Sequence, residues 1–437
     1  MSGKNSCVIY APVDTLSGYG SRSRDTVKSI IDLKKDEWDI KIIPCGWGNT
    51  PIGFINENPE WQFLSKYFLL GPLTYQPDIF IWITIPTEFQ KVGKYNIGIT
   101  AGLETDIVPG DWVEGCNRMD LVLVSSEHSK EAFKKSKFQK QNPQTKQIEG
   151  VLELTTPIEV LFEGIDTNVY KFLDKPNKEI GALNTISEEF CYLFVGHWLQ
   201  GDLGEDRKNV GYLIKAFFEL FKNKKNKPAL ILKTSIVGPS YMDRDEILKR
   251  IQMIRKSINS EDLPNIYLLH GEFTDAEMNE LYNHPKVKCM VSLAKGEGFG
   301  RPLLEFTQSK KPIITTAFSG PLDFLNKEFV TLVDGTLTNV HPSAANQWLI
   351  QEAKWFAPDP GQVGHYLKDM FENYKNYIDG GKRQGFYAKT NFSFEKMVEK
   401  LDEYLKYIPE FPKQATLKLP QIKKIELPKL QKEEING

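Results

Sequence analysis

The stretch KGEGFGRPLLEFTQSKKPIITTAFSGP, residues 295–321, decides how this chain is read. The apolar run VKCMVSLA (287–294) ends just before it, and a turn with glycines at 296, 298 and 300 follows. Pro302 suits a first helical position, so a helix is expected to begin near Arg301. PIITTAF (312–318) then returns to a strand pattern. Strand, glycine turn, helix and strand make the repeating unit of a parallel α/β sheet. On such sheets, ligands lie beyond the carboxyl ends of the strands.

The same alternation runs outward in both directions. In the first half, strands are expected at 7–13, 40–46, 78–85, 96–102, 121–126 and 158–164, with helices after the first (23–35) and the fifth (129–138). Several of these runs are almost continuously apolar, as parallel strands covered on both faces must be. The polar segment 171–189 reads as a linker. Strands resume at 190–196, 229–235, 265–271, 287–294, 312–318 and 329–335, with helical patterns at 210–223, 244–258 and 275–284. Amphipathic helices are expected at 363–378 and 392–407. The domain plan is therefore a first Rossmann-like domain (1–170), the linker, and a second Rossmann-like domain (190–385). A helix within 386–412 is expected to cross back to the first domain, and a Lys-, Pro- and Leu-rich tail (413–437) is expected to be extended.

Composition excludes several classes. The 437 residues suffice for two full cores, and a net charge of −2 gives no global pull toward nucleic acid. Five scattered cysteines form no CxxC pair, so neither a disulfide framework nor a zinc site is expected, and a reducing cytoplasm fits best. The start runs straight into a strand without a signal peptide, and no apolar run approaches the roughly 18 residues of a membrane span.

The chemistry concentrates at the quoted turn. Gly298 and Gly300 remove side chains where a backbone approaches a ligand, and free amides at a helix start suit a diphosphate. Glu297 and Glu305 would repel that anion, so they are expected to accept hydrogen bonds from sugar hydroxyls. Two such carboxylates flanking a phosphate nest describe a nucleotide-sugar site.

Glu-x7-Glu enclosing Gly-Phe-Gly resembles the signature of retaining glycosyltransferases of family 4, which have the GT-B fold. SGYGSRSRDTVKSI (17–30), the block GLETDIVPGDWVEGCNRMDLVLVSSEHSKEAF (102–133), VLFEGIDTNVYKF (160–172) and FVGHWLQGDLGEDRKNVGYLIKAF (194–217) extend the likeness along most of the chain, toward mannosyltransferase-like members. The resemblance implies a hexosyltransferase that needs no metal or other cofactor and takes a nucleotide diphosphate sugar. By it, Glu297 contacts the transferred sugar near the reacting carbon, and Lys208 neutralises the diphosphate with Arg207 beside it. The Phe299 and Gly300 amides contact sugar or phosphate, Glu305 binds the ribose, and Gly20 approaches the phosphates from the opposite domain. The sequence departs from the pattern at His197, where the family has arginine; Lys233, at the end of a strand, is a candidate for the missing charge. The family's first-domain histidine has no match near Thr100–Thr105, where Glu104 stands as a candidate acceptor-site residue.

Lysines 130, 134, 135, 137 and 140, interleaved with Phe133 and Phe138, raise a peripheral membrane contact through 129–147, at the inner face of a membrane; a solvated helix face is the plainer account. The acceptor is left open as a glycan, lipid or protein, and no nucleic-acid partner is expected. A non-catalytic sugar-nucleotide-binding subunit and a GT-B sugar-nucleotide epimerase remain alternative functions.

Overall fold

The computed structural model describes residues 4–141, 144–175 and 180–412. The expected tail at 413–437 lies outside the described residues, as do parts of the expected linker and of the lysine-rich segment. The strands of the first half are β1 (Asn5–Ala11), β2 (Trp38–Pro44), β3 (Ile79–Ile83), β4 (Tyr95–Ile99), β5 (Leu121–Val124), the pair β6 (Phe138–Gln141) and β7 (Ile148–Leu152), and β8 (Ile158–Val160). All but β6 and β7 form one sheet in the order β2-β1-β3-β4-β5-β8, with every pairing parallel. The second sheet runs β11 (Ile266–Leu269), β10 (Ala229–Lys233), β9 (Cys191–Val195), β12 (Val287–Ser292), β13 (Ile313–Thr316) and β14 (Thr331–Val333), again all parallel. Both are doubly wound. Strand order reverses between β1 and β3 in the first sheet and between β9 and β12 in the second, and these reversals open the crevices where ligands sit.

The strands form where unbroken apolar runs can be buried on both faces. Every residue of β3 (IFIWI) and of β5 (LVLV) is buried. The last helix, Phe394–Leu405, belongs to the first domain's core despite its place in the chain. Met397, Leu401, Tyr404 and Leu405 pack with Cys7, Ile9, Ile40 and Ile81, and the Tyr404 hydroxyl donates to the Val160 carbonyl at 2.9 Å. The two crossings between domains run side by side. Ile165 N–H donates to the Phe392 carbonyl (2.9 Å), and Phe394 N–H donates to the Ile165 carbonyl (2.8 Å).

Two local expectations need correction, and two elements were not expected. The basic helix ends at Lys135, and Phe138 opens the antiparallel β6–β7 hairpin. Lys130 and Lys137 there are paired with Glu159 (2.8 Å) and Glu153 (2.7 Å). The expected linker is not free chain: Leu183 and Ile186 are buried in the second core. An unexpected helix, Ile378–Asn391, lies between Pro360–Glu372 and Phe394–Leu405. Its glycines argue against a helix from sequence, but they let it pack closely; a Cβ on Gly385 would lie 2.6 Å from the Thr307 carbonyl oxygen. Finally, β15 (Gly335–Asn339) and β16 (Lys354–Pro358) form a hairpin that reaches the first domain, where Lys354 N–H donates to Asp106 Oδ1 at 2.7 Å. Every residue of β15 is exposed, so no alternation announced it. No described helix is long and apolar enough to cross a membrane.

Because Leu401 is fully buried in the first domain's core, Leu401→Ala is expected to cost about 2–5 kcal/mol. Urea denaturation should show an earlier first transition with the second domain's transition in place. Loss of the second transition instead would mean that the helix belongs to the other domain.

Candidate active site

Gly196 follows β9 and Lys295 begins the turn after β12, so the two strands at the order reversal deliver their loops to one place. The long loop leading to Lys208 is held against that turn. Lys295 N–H donates to the Arg207 carbonyl (2.8 Å), and Lys295 Nζ pairs with Glu205 (2.8 Å). The Lys208 side chain passes over Gly196, where a Cβ would meet its Cε at 3.6 Å.

These contacts bring four charged side chains together. Glu297 Oε1 is paired with Lys208 Nζ. Glu297 Oε2 lies 3.4 Å from Arg207 Nη1, which is 2.8 Å from Glu104 Oε1 across the cleft. Each of the four side chains is only 12–19% exposed. Burial works against the Glu297 carboxylate, but Lys208 and Arg207 outweigh it and hold its pKa below the ordinary glutamate value. The turn itself is glycine-rich because the opposite domain touches it. A Cβ on Gly296 would lie 2.0 Å from the Glu104 carbonyl oxygen, and one on Gly298 would lie 2.8 Å from that of Ala101. The Gly298 carbonyl accepts hydrogen bonds from Ser126 Oγ (2.6 Å) and Ser125 Oγ (3.1 Å). Among the described residues, no hydrogen bond takes up the amides of Gly298, Phe299 or Gly300, which leaves an anion-accepting nest. The Phe299 ring is turned away into the second core.

Glu305 lies one turn further along, in the Arg301–Thr307 helix. Both its oxygens already hold donors, Arg301 Nε at 3.0 Å and the Tyr282 hydroxyl at 3.1 Å. Arg301 also donates to Asp25 Oδ2 of the first domain at 2.8 Å. Burial, only partly offset by Arg301, pushes the Glu305 carboxyl up to about 7.

Lys233 and Gly20 stand apart from these clusters, whereas His197 lies within reach of the Lys208 and Arg207 charges. Lys233 Nζ donates to the Gly271 carbonyl (2.7 Å) and lies 4.7 Å from the Phe273 ring centre, with no contact to Lys208 among its described partners. His197 is exposed and shares a 3.0 Å hydrogen bond with Ser235. Gly20 is pressed against Thr15, and its amide donates to Ser17 Oγ (2.9 Å), the cap of the Gly18–Lys34 helix. A cavity of about 810 Å³ opens between that helix and residues 272–277, which lead into the Asp275–Asn283 helix. Phe273 and Arg301 line its wall, placing it beside Glu305.

Sequence reasoning missed Arg301, Asp25, Ser125 and Ser126. For Arg301 a signal existed, since it stands four residues before Glu305 on one helix, the spacing at which opposite charges meet. Asp25 and the serines depend on how the domains face each other, which no local pattern reports.

Glu305 yields a titration test. Its carboxyl is protonated up to about pH 7 in the fold, against about 4.5 in the unfolded chain. Its contribution to stability is therefore complete below the lower value and lost as pH rises through the higher one. Glu305→Gln should flatten the fall in melting temperature over that interval. A slope unchanged from wild type would show that the carboxyl titrates normally in the fold.

Residues 186–352 match the family described as glycosyl transferases group 1. No curated protein sequence matches the chain. Among solved structures, Anabaena Alr3699/HepE in complex with UDP and glucose is similar at a TM-score of 0.57 and 13% identity, over 92% of this chain and 100% of that one. A glycosyltransferase from Rickettsia africae is similar at a TM-score of 0.59 and 14% identity, over 93% and 99% of the two chains. Sucrose-phosphate synthase from Thermosynechococcus elongatus gives 0.59 and 12% over the same shares. The fold is that of the GT-B glycosyltransferases, two parallel-sheet Rossmann-like domains facing a cleft, and within it residues 186–352 carry the match to glycosyl transferases group 1.

Proposed function

We propose that the protein is a retaining, metal-independent glycosyltransferase that moves a hexose from a nucleotide diphosphate sugar to an acceptor hydroxyl. The observation that carries this is the ionised Glu297 held between Lys208 and Arg207 at the second sheet's order reversal, with three unpaired amides beside it. Lys208 has three N–H donors and places one on Glu297, leaving the others for phosphate oxygens. The amides of Gly298–Gly300 take the same diphosphate from the turn. Glu297 keeps lone pairs for the sugar's hydroxyls. Glu305, beside the cavity, receives the ribose when Arg301 gives up one oxygen.

In the transfer, the acceptor oxygen bonds to the anomeric carbon while the bond to the diphosphate breaks. The electron pair goes to the leaving phosphate, which also takes the acceptor's proton on the same face of the sugar. Lys208 and the amides stabilise the negative charge as it develops. The bonds from Ser125 and Ser126 to Gly298 hold the domains together here and keep water from the donor. UDP-glucose is the first donor to try, since structural neighbours were solved with UDP and UDP-glucose.

The test is a thermal-shift panel of nucleotide diphosphate sugars, followed by transfer assays with the one that stabilises. A ligand at about 100 times its Kd adds about 2.7 kcal/mol. Lys208→Ala removes a charged hydrogen bond worth about 1.5–3 kcal/mol, so kcat/KM should fall roughly ten- to 150-fold. Turnover should persist in excess EDTA. Stabilisation by no sugar nucleotide would overturn the function, and loss in EDTA restored by manganese would overturn the metal-free mechanism.

A further inference from the structure

The Ile378–Asn391 helix buries one face and leaves the other in solvent. Gly381, Gln384, Gly385 and Ala388 are buried, whereas Lys382, Arg383, Phe386, Lys389 and Thr390 are exposed. Phe386 is 73% exposed, although its ring gains by leaving water. At about 100° per residue it stands at the centre of the exposed face, with Lys382 and Lys389 to one side and Arg383 and Thr390 to the other. A groove of about 410 Å³ has Phe386, Tyr387, Phe329, Lys382 and Arg383 in its lining. The patch extends past the helix. A Cβ on Gly385 would meet Lys310 Cγ at 3.2 Å, and Lys310 Nζ lies 4.6 Å from the ring centre of Phe172, which is 45% exposed.

The charge of this face is not neutralised within the fold. Among the described residues, none of Lys310, Lys382, Arg383 and Lys389 is ion-paired. The Arg383 guanidinium instead lies 4.2 Å from the ring centre of Phe329. The helix carries one carboxylate, Asp379, in its first turn. The whole chain has a net charge of −2, so the positive excess is local. The lysines that the sequence singled out for a membrane are placed differently. Lys130, Lys134 and Lys137 are paired with Glu159, Glu131 and Glu153. The layout of the patch indicates what covers it. A bound phosphate or carboxylate needs donors that converge on one point, but these cations are spread around two exposed rings. A bilayer surface asks for that spread, with cations at headgroup level and aromatic rings between them.

We infer that this face docks the second domain on an anionic lipid surface, with Phe386 entering the headgroup region and Lys310, Lys382, Arg383 and Lys389 meeting the lipid charges. The inference stands independently of the transfer reaction proposed above. Cosedimentation of the full chain with vesicles tests it. The protein should bind vesicles of equal parts phosphatidylcholine and phosphatidylserine, and bind phosphatidylcholine alone at least about tenfold more weakly. Rising salt should release it. The double variant Lys382→Glu with Arg383→Glu should bind the anionic vesicles about tenfold more weakly or worse, and Phe386→Ala several-fold more weakly. Both should keep the wild-type melting temperature, because these side chains are exposed. Lys135→Glu, on the other basic helix, should bind as wild type does. The inference is overturned if wild type ignores the anionic vesicles, if the double variant and Phe386→Ala bind as wild type does, or if Lys135→Glu is the change that abolishes binding. Binding of wild type to poly-glutamate but to no vesicle would assign the face to an acidic protein partner and overturn the lipid surface.

Discussion

Four charges in a row, Glu104, Arg207, Glu297 and Lys208, each with a side chain no more than 19% exposed, constrain the rest of the cleft. Taking an isolated charge out of water costs several kcal/mol, and only close opposite partners offset that. The row is balanced, with two carboxylates and two cations, and its members come from three separate loops. Each loop must therefore hold its geometry for the others to remain paired. This explains the fixed backbone around the row. The turn after β12 is tied to Ser319, whose Oγ accepts the Glu297 N–H at 2.9 Å, and the loop before Lys208 is tied to Lys295.

The row also spans the two domains, and it does not act alone. Arg301 reaches Asp25, the Asp323 carboxylate accepts the Glu127 N–H at 2.8 Å, and the β15–β16 hairpin reaches Asp106. The cavity beside Arg301 stays open while the turn side is closed. A ligand entering by the cavity meets Arg301, which joins Glu305 to the first domain. In the function proposed, a ligand that occupies Glu305 changes one of the contacts that hold the domains together. Binding and closure share one guanidinium, the kind of differential contact that a ligand needs in order to shift a domain equilibrium.

The strands and the turn were legible in the sequence because both follow from local rules. Continuous apolar runs such as IFIWI admit only strands buried on both faces, and Pro302 after a glycine turn fixes a helix start. Glu297 and Glu305 stood out as carboxylates flanking a glycine turn and Lys208 through a family resemblance, and the structure pairs Glu297 with Lys208. The failures share a physical cause. The Ile378–Asn391 helix hides behind glycines that only tertiary packing explains. The β15–β16 hairpin lacks an apolar face. Gly298 was expected to make room for a ligand, and it also makes room for the opposite domain.

The central claim is that Lys208 serves the diphosphate and Glu297 serves the sugar. Calorimetric titration of UDP and of UDP-glucose into Lys208→Ala and Glu297→Gln tests it most directly. The account predicts that Lys208→Ala weakens both ligands by about tenfold or more. It predicts that Glu297→Gln weakens UDP-glucose alone, leaving UDP unchanged or tighter because Lys208 is released. UDP binding to Lys208→Ala at wild-type affinity, or equal weakening of both ligands by Glu297→Gln, would contradict it.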